Sequence, residues 1–281
     1  MKLITKDFVQ SLIPKREDKS YKGDFGRVLL VGGNARMGGA IILSASAAVH
    51  SGAGLVTVAT HPTNQTALHS HLPEAMFLPM TDHDSLKELV ATMDVVVVGP
   101  GLGRDEDSLA ILEIIYSIIK EDQLLVVDGD AIYLHVTHDL PKAKTTTIFT
   151  PHLGEWRTLT GLEPDEENQE GNQNHAERLG ATIVLKKDRT EVYSEGEVWQ
   201  NTAGNPSMAT GGMGDTLAGM IAGLLGQLPN KKHAILLAVF LHSYIGDRLA
   251  ENQYVTLPSH IIEAIPKTMK ELIKGNPVKW V

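Results

Sequence analysis

The chain has 281 residues, with 25 Lys and Arg against 34 Asp and Glu, a formal charge of −9, no cysteine and a hydrophobic fraction of 42%. That length can bury a substantial core, the acidic balance argues against a nucleic-acid backbone as the partner, and the lack of cysteine excludes disulfides and thiolate metal ligands. The most apolar run, Ala234 to Ile245, is too short for a membrane span, and MKLITKDFVQSLIPKRED has no signal-type apolar region, so the expected location is cytoplasmic.

In chain order, Arg27 to Gly33 (RVLLVGG) reads as a buried strand ending in a Gly turn, Ala40 to His50 as a small-residue helix and Leu55 to Thr60 as the next strand. The alternation returns in Asp94 to Gly99 (DVVVVG), the helical Ser108 to Lys120, Leu124 to Asp128 (LLVVD) and Thr146 to Thr150. Ile183 to Lys186 and Glu191 to Ser194 are later strands, the second beside a hairpin at Ser194-Glu195-Gly196. The acidic stretch Glu163 to Glu170 reads as a solvated loop and helix start. After Thr216 the chain is nearly all helix: Leu217 to Leu225, His233 to Ala250 and Ser259 to Ile273. Continuous β-branched runs alternating with helices predict an α/β fold with a mostly parallel sheet covered on both faces, and the absence of a linker or repeat predicts one domain over 1–281.

Ligands of such sheets sit at the C-terminal strand ends. Gly32-Gly33-Asn34, Gly99-Pro100-Gly101-Leu102-Gly103, Asp128-Gly129-Asp130 and Thr150-Pro151-His152 all fall there. Asp128 and Asp130 have two readings, ligand or helix cap.

The stretch from Asn205 to Met220, NPSMATGGMGDTLAGM, carries the clearest chemistry. Gly211, Gly212 and Gly214 leave backbone N–H groups free to converge on an anion, and Leu217, Met220, Ile221, Leu224 and Leu225 describe a helix starting just after Asp215 whose positive end adds to that hole. A carboxylate beside bound phosphate is repelled unless it handles a proton or a metal, so Asp215 reads as a general base for a hydroxyl attacking a phosphoryl group; the bland alternative is a helix cap. His69 and His71 lack a third ligand at metal spacing and read as surface residues, while His242, in an apolar helix, reads as a satisfied core or interface residue.

Taken together, GRVLLVGG, GPGLG, DGDA, TPHLGE and GNPSMATGGMGDTLAG resemble the ADP/ATP-dependent NAD(P)H-hydrate dehydratases, carbohydrate-kinase-like repair enzymes with a three-layer ribokinase-like fold. The resemblance implies nucleotide-dependent dehydration of hydrated NADH or NADPH, with ADP or ATP as phosphoryl donor and Mg2+ as cofactor. It places Asp215 at the substrate hydroxyl as base, with Gly212, Met213 and Gly214 giving N–H groups to the transferring phosphoryl. Ala40, Gly103 and His152 would line the hydrate pocket with Asp215. Lys186, Lys187, Asp188, Arg189 and Thr190, with Asn205 and Gly214, would hold the adenine nucleotide, and Glu155 would help hold magnesium. The resemblance further implies a homotetramer and a separate epimerase, since the epimerase domain of fused versions has no counterpart here.

Four positions depart from the family pattern: Lys187 stands where glycine is usual, Met213 where Thr or Ser is, Leu153 where Pro is and Gly129 where Ala is. Met213 loses a hydroxyl and keeps its N–H. The rival readings are a small-molecule alcohol kinase of the hydroxyethylthiazole or pyridoxal type, for which the same hole and base would serve, and a non-catalytic nucleotide-binding regulator, for which loss of the base is expected.

Overall fold

Val and Leu runs without polar alternation make strands that need cover on both faces, and the computed structural model, which describes residues 1–163 and 165–274, joins them in one sheet. The strands are β1 (Lys2–Ile4), β2 (Arg27–Val31), β3 (Leu55–Thr60), β4 (Met76–Pro79), β5 (Val95–Val98), β6 (Leu124–Val127), β7 (Thr146–Phe149), β8 (Thr182–Leu185), β9 (Glu191–Ser194) and β10 (Glu197–Asn201). Their spatial order is β1-β10-β9-β8-β7-β6-β5-β2-β3-β4. Every pairing from β4 across to β8 is parallel, the β8-β9-β10 run is antiparallel, and β1 lies parallel to β10 at the far edge.

The helices are α1 (Lys6–Gln10), α2 (Gly38–His50), α3 (Gln65–His71), α4 (His83–Val90), α5 (Glu106–Ile118), α6 (Asp130–Thr137), α7 (Leu153–Thr160), α8 (Gln169–Leu179), α9 (Met213–Leu225), α10 (Lys231–Ala250) and α11 (Pro258–Lys274). Strand side chains alternate between two cores. Val28, Leu30, Val95, Val97 and Val126 pack with α2, α9, α10 and α11, whereas Leu29, Val31, Val96, Val98, Leu125 and Val127 pack with α4, α5, α6 and Trp156 of α7. Both sides of each central strand are therefore apolar, which is why the runs show no alternation. This is the expected three-layer ribokinase-like architecture.

α2 and α9 pack closely along a seam of small residues. A Cβ on Gly219 would fall on the Ser44 carbonyl oxygen, and one on Gly223 would come within 2.6 Å of the Ala48 oxygen. The seam fixes the N-terminal end of α9, with its glycines, beside the start of α2.

Several boundaries differ from the sequence-based expectation. α9 begins at Met213, not after Asp215, so Asp215 lies inside the first turn. α2 begins at Gly38 and α5 at Glu106, where Asp105 accepts the Ser108 N–H as N-cap. β1 and β4 have no counterpart in the sequence reading: each lies at a sheet edge, β1 is three residues long, and β4 ends in Pro79.

Candidate active site

The four strand-end motifs meet on one edge, because β7, β6, β5 and β2 are consecutive in the sheet. Backbone bonds stitch their loops together: Gly33 N–H donates to Pro100 at 2.9 Å and Asn34 N–H to Gly101 at 2.7 Å.

α9 points its first turn at this edge. Gly212 is its N-cap with φ of 93°, a left-handed conformation that glycine adopts without strain, and a Cβ there would press on Leu43 and Pro258. Thr216 returns both its N–H (3.0 Å) and its hydroxyl (2.9 Å) to the Gly212 carbonyl. Met213, Gly214 and Asp215 lie in the turn whose N–H groups have no carbonyl one turn behind them, so those donors are open to an anion. The cap reading of Asp215 is thus overturned by Gly212. Burial pushes the Asp215 carboxyl up to about 6, the Asp128 carboxylate adds to the rise, Lys186 opposes it, and Glu155 and Asp130 contribute further. A carboxylate with that value beside an anion hole is suited to accept a proton near neutral pH.

Lys186 follows β8. A bridge pairing with His152 continues the β7–β8 ladder past the strand ends, with Lys186 N–H donating to Pro151 at 2.8 Å. Its ammonium reaches Asp128 Oδ1 at 2.8 Å, and the same oxygen accepts the Thr150 hydroxyl at 2.6 Å. Desolvation alone would lower the Lys186 pKa, but Asp128, Glu155 and Asp215 outweigh it and raise the value. A Cβ on Gly214 would sit 3.0 Å from Lys186 Nζ, so the ammonium faces the first turn of α9. Asp128 is therefore neither a cap nor an open ligand; it anchors this lysine.

On one side of Asp215 lies a cavity of about 710 Å3, lined by Lys186 to Thr190, Gly204, Asn205, Met213 and Gly214 among others. The Lys187 ammonium is bound to buried Glu191 at 2.7 Å, so it is the backbone of Lys187 that remains for a ligand. Arg189 donates to the Thr202 and Gly204 carbonyls at 3.0 and 3.2 Å. Asn205 gives its amide N–H to Asp247 Oδ1 at 2.7 Å and accepts from Ser207, so its side chain shapes the loop. Asp188 is exposed. Asp247 on α10, absent from the sequence reading, also takes the Gly204 N–H with both oxygens at 3.1 and 3.0 Å. His242 lines the same cavity and is buried as expected, but it is not fully satisfied: Nε2 has no hydrogen-bond partner, and burial pushes the imidazole down to about 4, with Lys186 adding to the fall, so the ring is neutral.

On the other side, Gly103 lines a groove of about 950 Å3. Its N–H donates to Asp130 Oδ2 at 3.0 Å. Asp130 is the first residue of α6, with Gly129 as N-cap, so its carboxylate serves the neighbouring loop and caps nothing. Ala40 lies in the first turn of α2 beside Gly101. His152 lines the cavity on the Lys186 side rather than this groove; it is exposed and caps α7 in a reciprocal box: Nδ1 accepts the Glu155 N–H at 3.1 Å, and Glu155 Oε2 accepts the His152 N–H at 2.8 Å. The other Glu155 oxygen, Oε1, lies outside the box, 3.5 Å from His152 Nε2. No group of three or more His, Cys, Asp or Glu with metal-binding geometry occurs among the described residues, and His69 and His71 are exposed on α3.

Comparison with known proteins bears directly on this geometry. The family model described as NAD(P)H-hydrate dehydratase matches residues 28–267. An ADP-dependent (S)-NAD(P)H-hydrate dehydratase from Staphylococcus aureus is 47% identical over 96% of this chain and 98% of its own length. A ribokinase-like superfamily protein from Enterococcus faecalis superposes with a TM-score of 0.94 at 44% identity, covering 97% of this chain and 96% of that one. The ADP/ATP-dependent NAD(P)H-hydrate dehydratase from Bacillus subtilis, co-crystallised with ATP and Mg2+, gives 0.85 at 30% identity over 96% of this chain and 98% of that one.

Proposed function

Since the chain belongs to the NAD(P)H-hydrate dehydratase family, we propose that it restores the S-form of hydrated NADH or NADPH in an ADP-dependent dehydration that releases AMP and phosphate. The observation that carries this reading is Asp215, a half-buried carboxylate with a raised pKa in the first turn of α9, beside open N–H donors and the Lys186 ammonium.

Water is a poor leaving group from the hydrated ring, and phosphate is a good one. Asp215 takes the proton of the carbinol hydroxyl as its oxygen attacks the terminal phosphoryl of ADP. The N–H groups of Met213 and Gly214 face the charge that builds on the transferring phosphoryl, and Gly212 shapes the turn that presents them. Lys186, held by Asp128, sits where the phosphates leave. The ring nitrogen lone pair then expels phosphate, breaking the carbon–oxygen bond, and loss of the neighbouring proton re-forms the dihydropyridine. Atoms balance as hydrate and ADP going to dihydronicotinamide, AMP and phosphate.

The Lys186–Thr190 loop with Asn205 and Gly214 forms the nucleotide side, where Lys187, Asn205 and Arg189 act by shaping backbone. Ala40 and Gly103 form the hydrate side, and His152, which lines the cavity of the Lys186–Thr190 loop, would meet the hydrate from across Asp215. The donor set suits Mg2+, which usually takes one or two carboxylates plus nucleotide phosphates and waters: Glu155 Oε1 would hold it through water, and the ion would neutralise charge on the phosphates. The whole of 1–281 acts as one domain in this reading. In this reading the chain assembles as a homotetramer, for which exposed apolar side chains at Tyr254, Val255 and Leu257 offer a surface for self-association, and a separate epimerase would supply the S-form. A cytoplasmic setting fits the absence of cysteine and, among the described residues, of any helix long and apolar enough to cross a membrane.

The test is incubation with hydrated NADH and Mg2+ plus ADP, ATP or neither, following dihydronicotinamide absorbance and phosphate release together. Nucleotide-dependent return matched by phosphate supports the reading and names the donor. A stable phosphate ester, or no return despite nucleotide binding, transfers the site to the alcohol kinases.

A further inference from the structure

We propose that Arg104 recognises a phosphoryl group of the hydrated dinucleotide, holding the unreactive part of that substrate in the groove beside Gly103. The inference rests on the dehydratase reading, because it assigns a place to the remainder of that substrate.

Asp130 reaches back from the start of α6 to the loop after β5 and holds two consecutive residues. Oδ2 accepts the Gly103 N–H at 3.0 Å, and Oδ1 accepts Arg104 Nε at 2.7 Å. The guanidinium lies over the Tyr133 ring with Cζ 4.1 Å from the centroid. A bond in the guanidinium plane and a ring beneath it fix the group before any ligand arrives, which reduces the entropy lost on binding. The bond to Asp130 uses Nε alone. Neither terminal nitrogen of Arg104 has a hydrogen-bond partner among the described residues, and the side chain is 54% exposed. What remains is a pre-oriented pair of charged donors, the geometry that suits a phosphate held by two oxygens.

The groove these donors face is large enough for a nucleotide-sized group, at about 950 Å3, and Arg36 and His61 also line it. Of its carboxylates, Asp130 is already committed to Gly103 and Arg104, and Asp105 to the Ser108 N–H and hydroxyl at 2.9 and 2.7 Å; Asp107 is left exposed. Asp130 also lies close enough to Asp215 for its charge to bear on that base. A substrate with its ring at Asp215 and its chain passing Gly103 therefore meets Arg104 next. The hydrated dinucleotide carries phosphoryl groups at its central pyrophosphate and, in the NADPH form, on the adenosine ribose.

The experiment is steady-state kinetics of the full-length protein and its R104A and R104K variants, with hydrated NADH and hydrated NADPH varied separately and ADP varied in a third series. Loss of a two-bond charged contact predicts a rise of roughly 10- to 100-fold in KM for the dinucleotide in R104A, with no matching rise in KM for ADP and partial recovery in R104K. An equal rise for both hydrates assigns Arg104 to the pyrophosphate; a rise for hydrated NADPH alone assigns it to the ribose phosphate. Unchanged KM for both, in a wild type that turns over, overturns the proposal. If R104A fails to fold, Tyr133→Ala keeps the charge and removes the platform, and a smaller KM rise confined to the dinucleotide is expected; no rise counts against the proposal. If the wild type shows no dehydratase turnover, the functional reading falls, and titration of NADPH into wild type and R104A decides separately whether Arg104 binds a dinucleotide phosphate, equal affinities overturning that claim.

Discussion

On the proposed nucleotide side of Asp215 the backbone is tied down by several side chains: Asp247 of α10 holds Gly204 and Asn205, Arg189 holds the carbonyls of Thr202 and Gly204, and Glu191 restrains Lys187. On the proposed dinucleotide side Thr60 and Asn64 tie the Gly33 turn and Ser108 the Leu102 carbonyl, but for Gly103 and Arg104 themselves one carboxylate, Asp130, makes both side-chain ties. At Gly204 and Asn205 the constraint is distributed, so loss of one tie leaves others; at Gly103 and Arg104 it is concentrated in Asp130. A loop that must present bare N–H groups to a compact phosphate chain needs its shape fixed at many points, whereas a long substrate is positioned by a few strong contacts along its length.

The largest effect that breaks this comparison is at the point the two sides share. Asp215→Asn removes the proton acceptor and should lower kcat by about 10²- to 10⁴-fold while calorimetric affinity for ADP stays within a few-fold. Turnover close to wild type would remove Asp215 from the mechanism.

A crossed pair of variants sharpens it. Asp130→Asn, losing the single clamp, should raise KM for the hydrated dinucleotide roughly tenfold and spare KM for ADP. Asp247→Asn should do the reverse more mildly, about threefold, because Arg189 still holds Gly204. Equal effects on both substrates from either variant would erase the distinction between the two sides.

The pH profile gives a smaller shift. Asp215 must be ionised to act, so kcat/KM should fall on the acid side through a pKa of about 6. After burial, repulsion from Asp128 is the next cause of that value, so Asp128→Asn should move the limb to lower pH. An unmoved limb would mean that another group titrates.

The smallest effect is on stability. The folded pKa of Asp215 lies above its ordinary 3.8, so the native state holds this proton more tightly than the unfolded chain does. The cost of ionising it is absent below about pH 4, grows as pH rises toward 6 and is present in full above that. Asp215→Asn should therefore raise Tm by a few degrees at pH 7.5, from about 1–3 kcal/mol, and leave it unchanged near pH 4. A lower Tm at pH 7.5 would contradict the sign.

What the sequence made legible follows the same division. Arg27–Val31, Val95–Val98 and Leu124–Val127 were readable because strands buried on both faces are apolar throughout, and the Gly-rich turn before α9 was readable because its donors and base are contiguous. The edge strands β1 and β4 were not, since only part of each faces a core. The motif DGD flagged Asp128 and Asp130 but not their partners, which lie 58 residues away at Lys186 and 26 residues away at Arg104. Asp247 sits 42 residues from Asn205 in a helix whose apolar run drew attention to packing instead. Pairings of that kind are set by the sheet order and leave no local periodicity. The departure at Lys187 resolves through Glu191: the residue in place of glycine is directed into a buried ion pair.

The far edge of the sheet has a consequence for the order in which the chain can assemble during synthesis. β1 spans residues 2–4, yet its only strand partner among the described residues is β10, and Thr202 closes the same corner by donating its hydroxyl to the Ile4 carbonyl at 2.7 Å. A ribosome delivers Lys2 long before Trp199, so the β1 segment emerges with its docking edge still unmade, while β2, β3, β4 and β5 can pair in sequence as they appear. Closing so long a loop comes late in folding, because its entropy must be met before the edge contacts offset it. β1 is thus among the last strands to be seated although it is made long before β10, and the loops that flank β9 and β10 gain their outer neighbour only when that early segment returns to them.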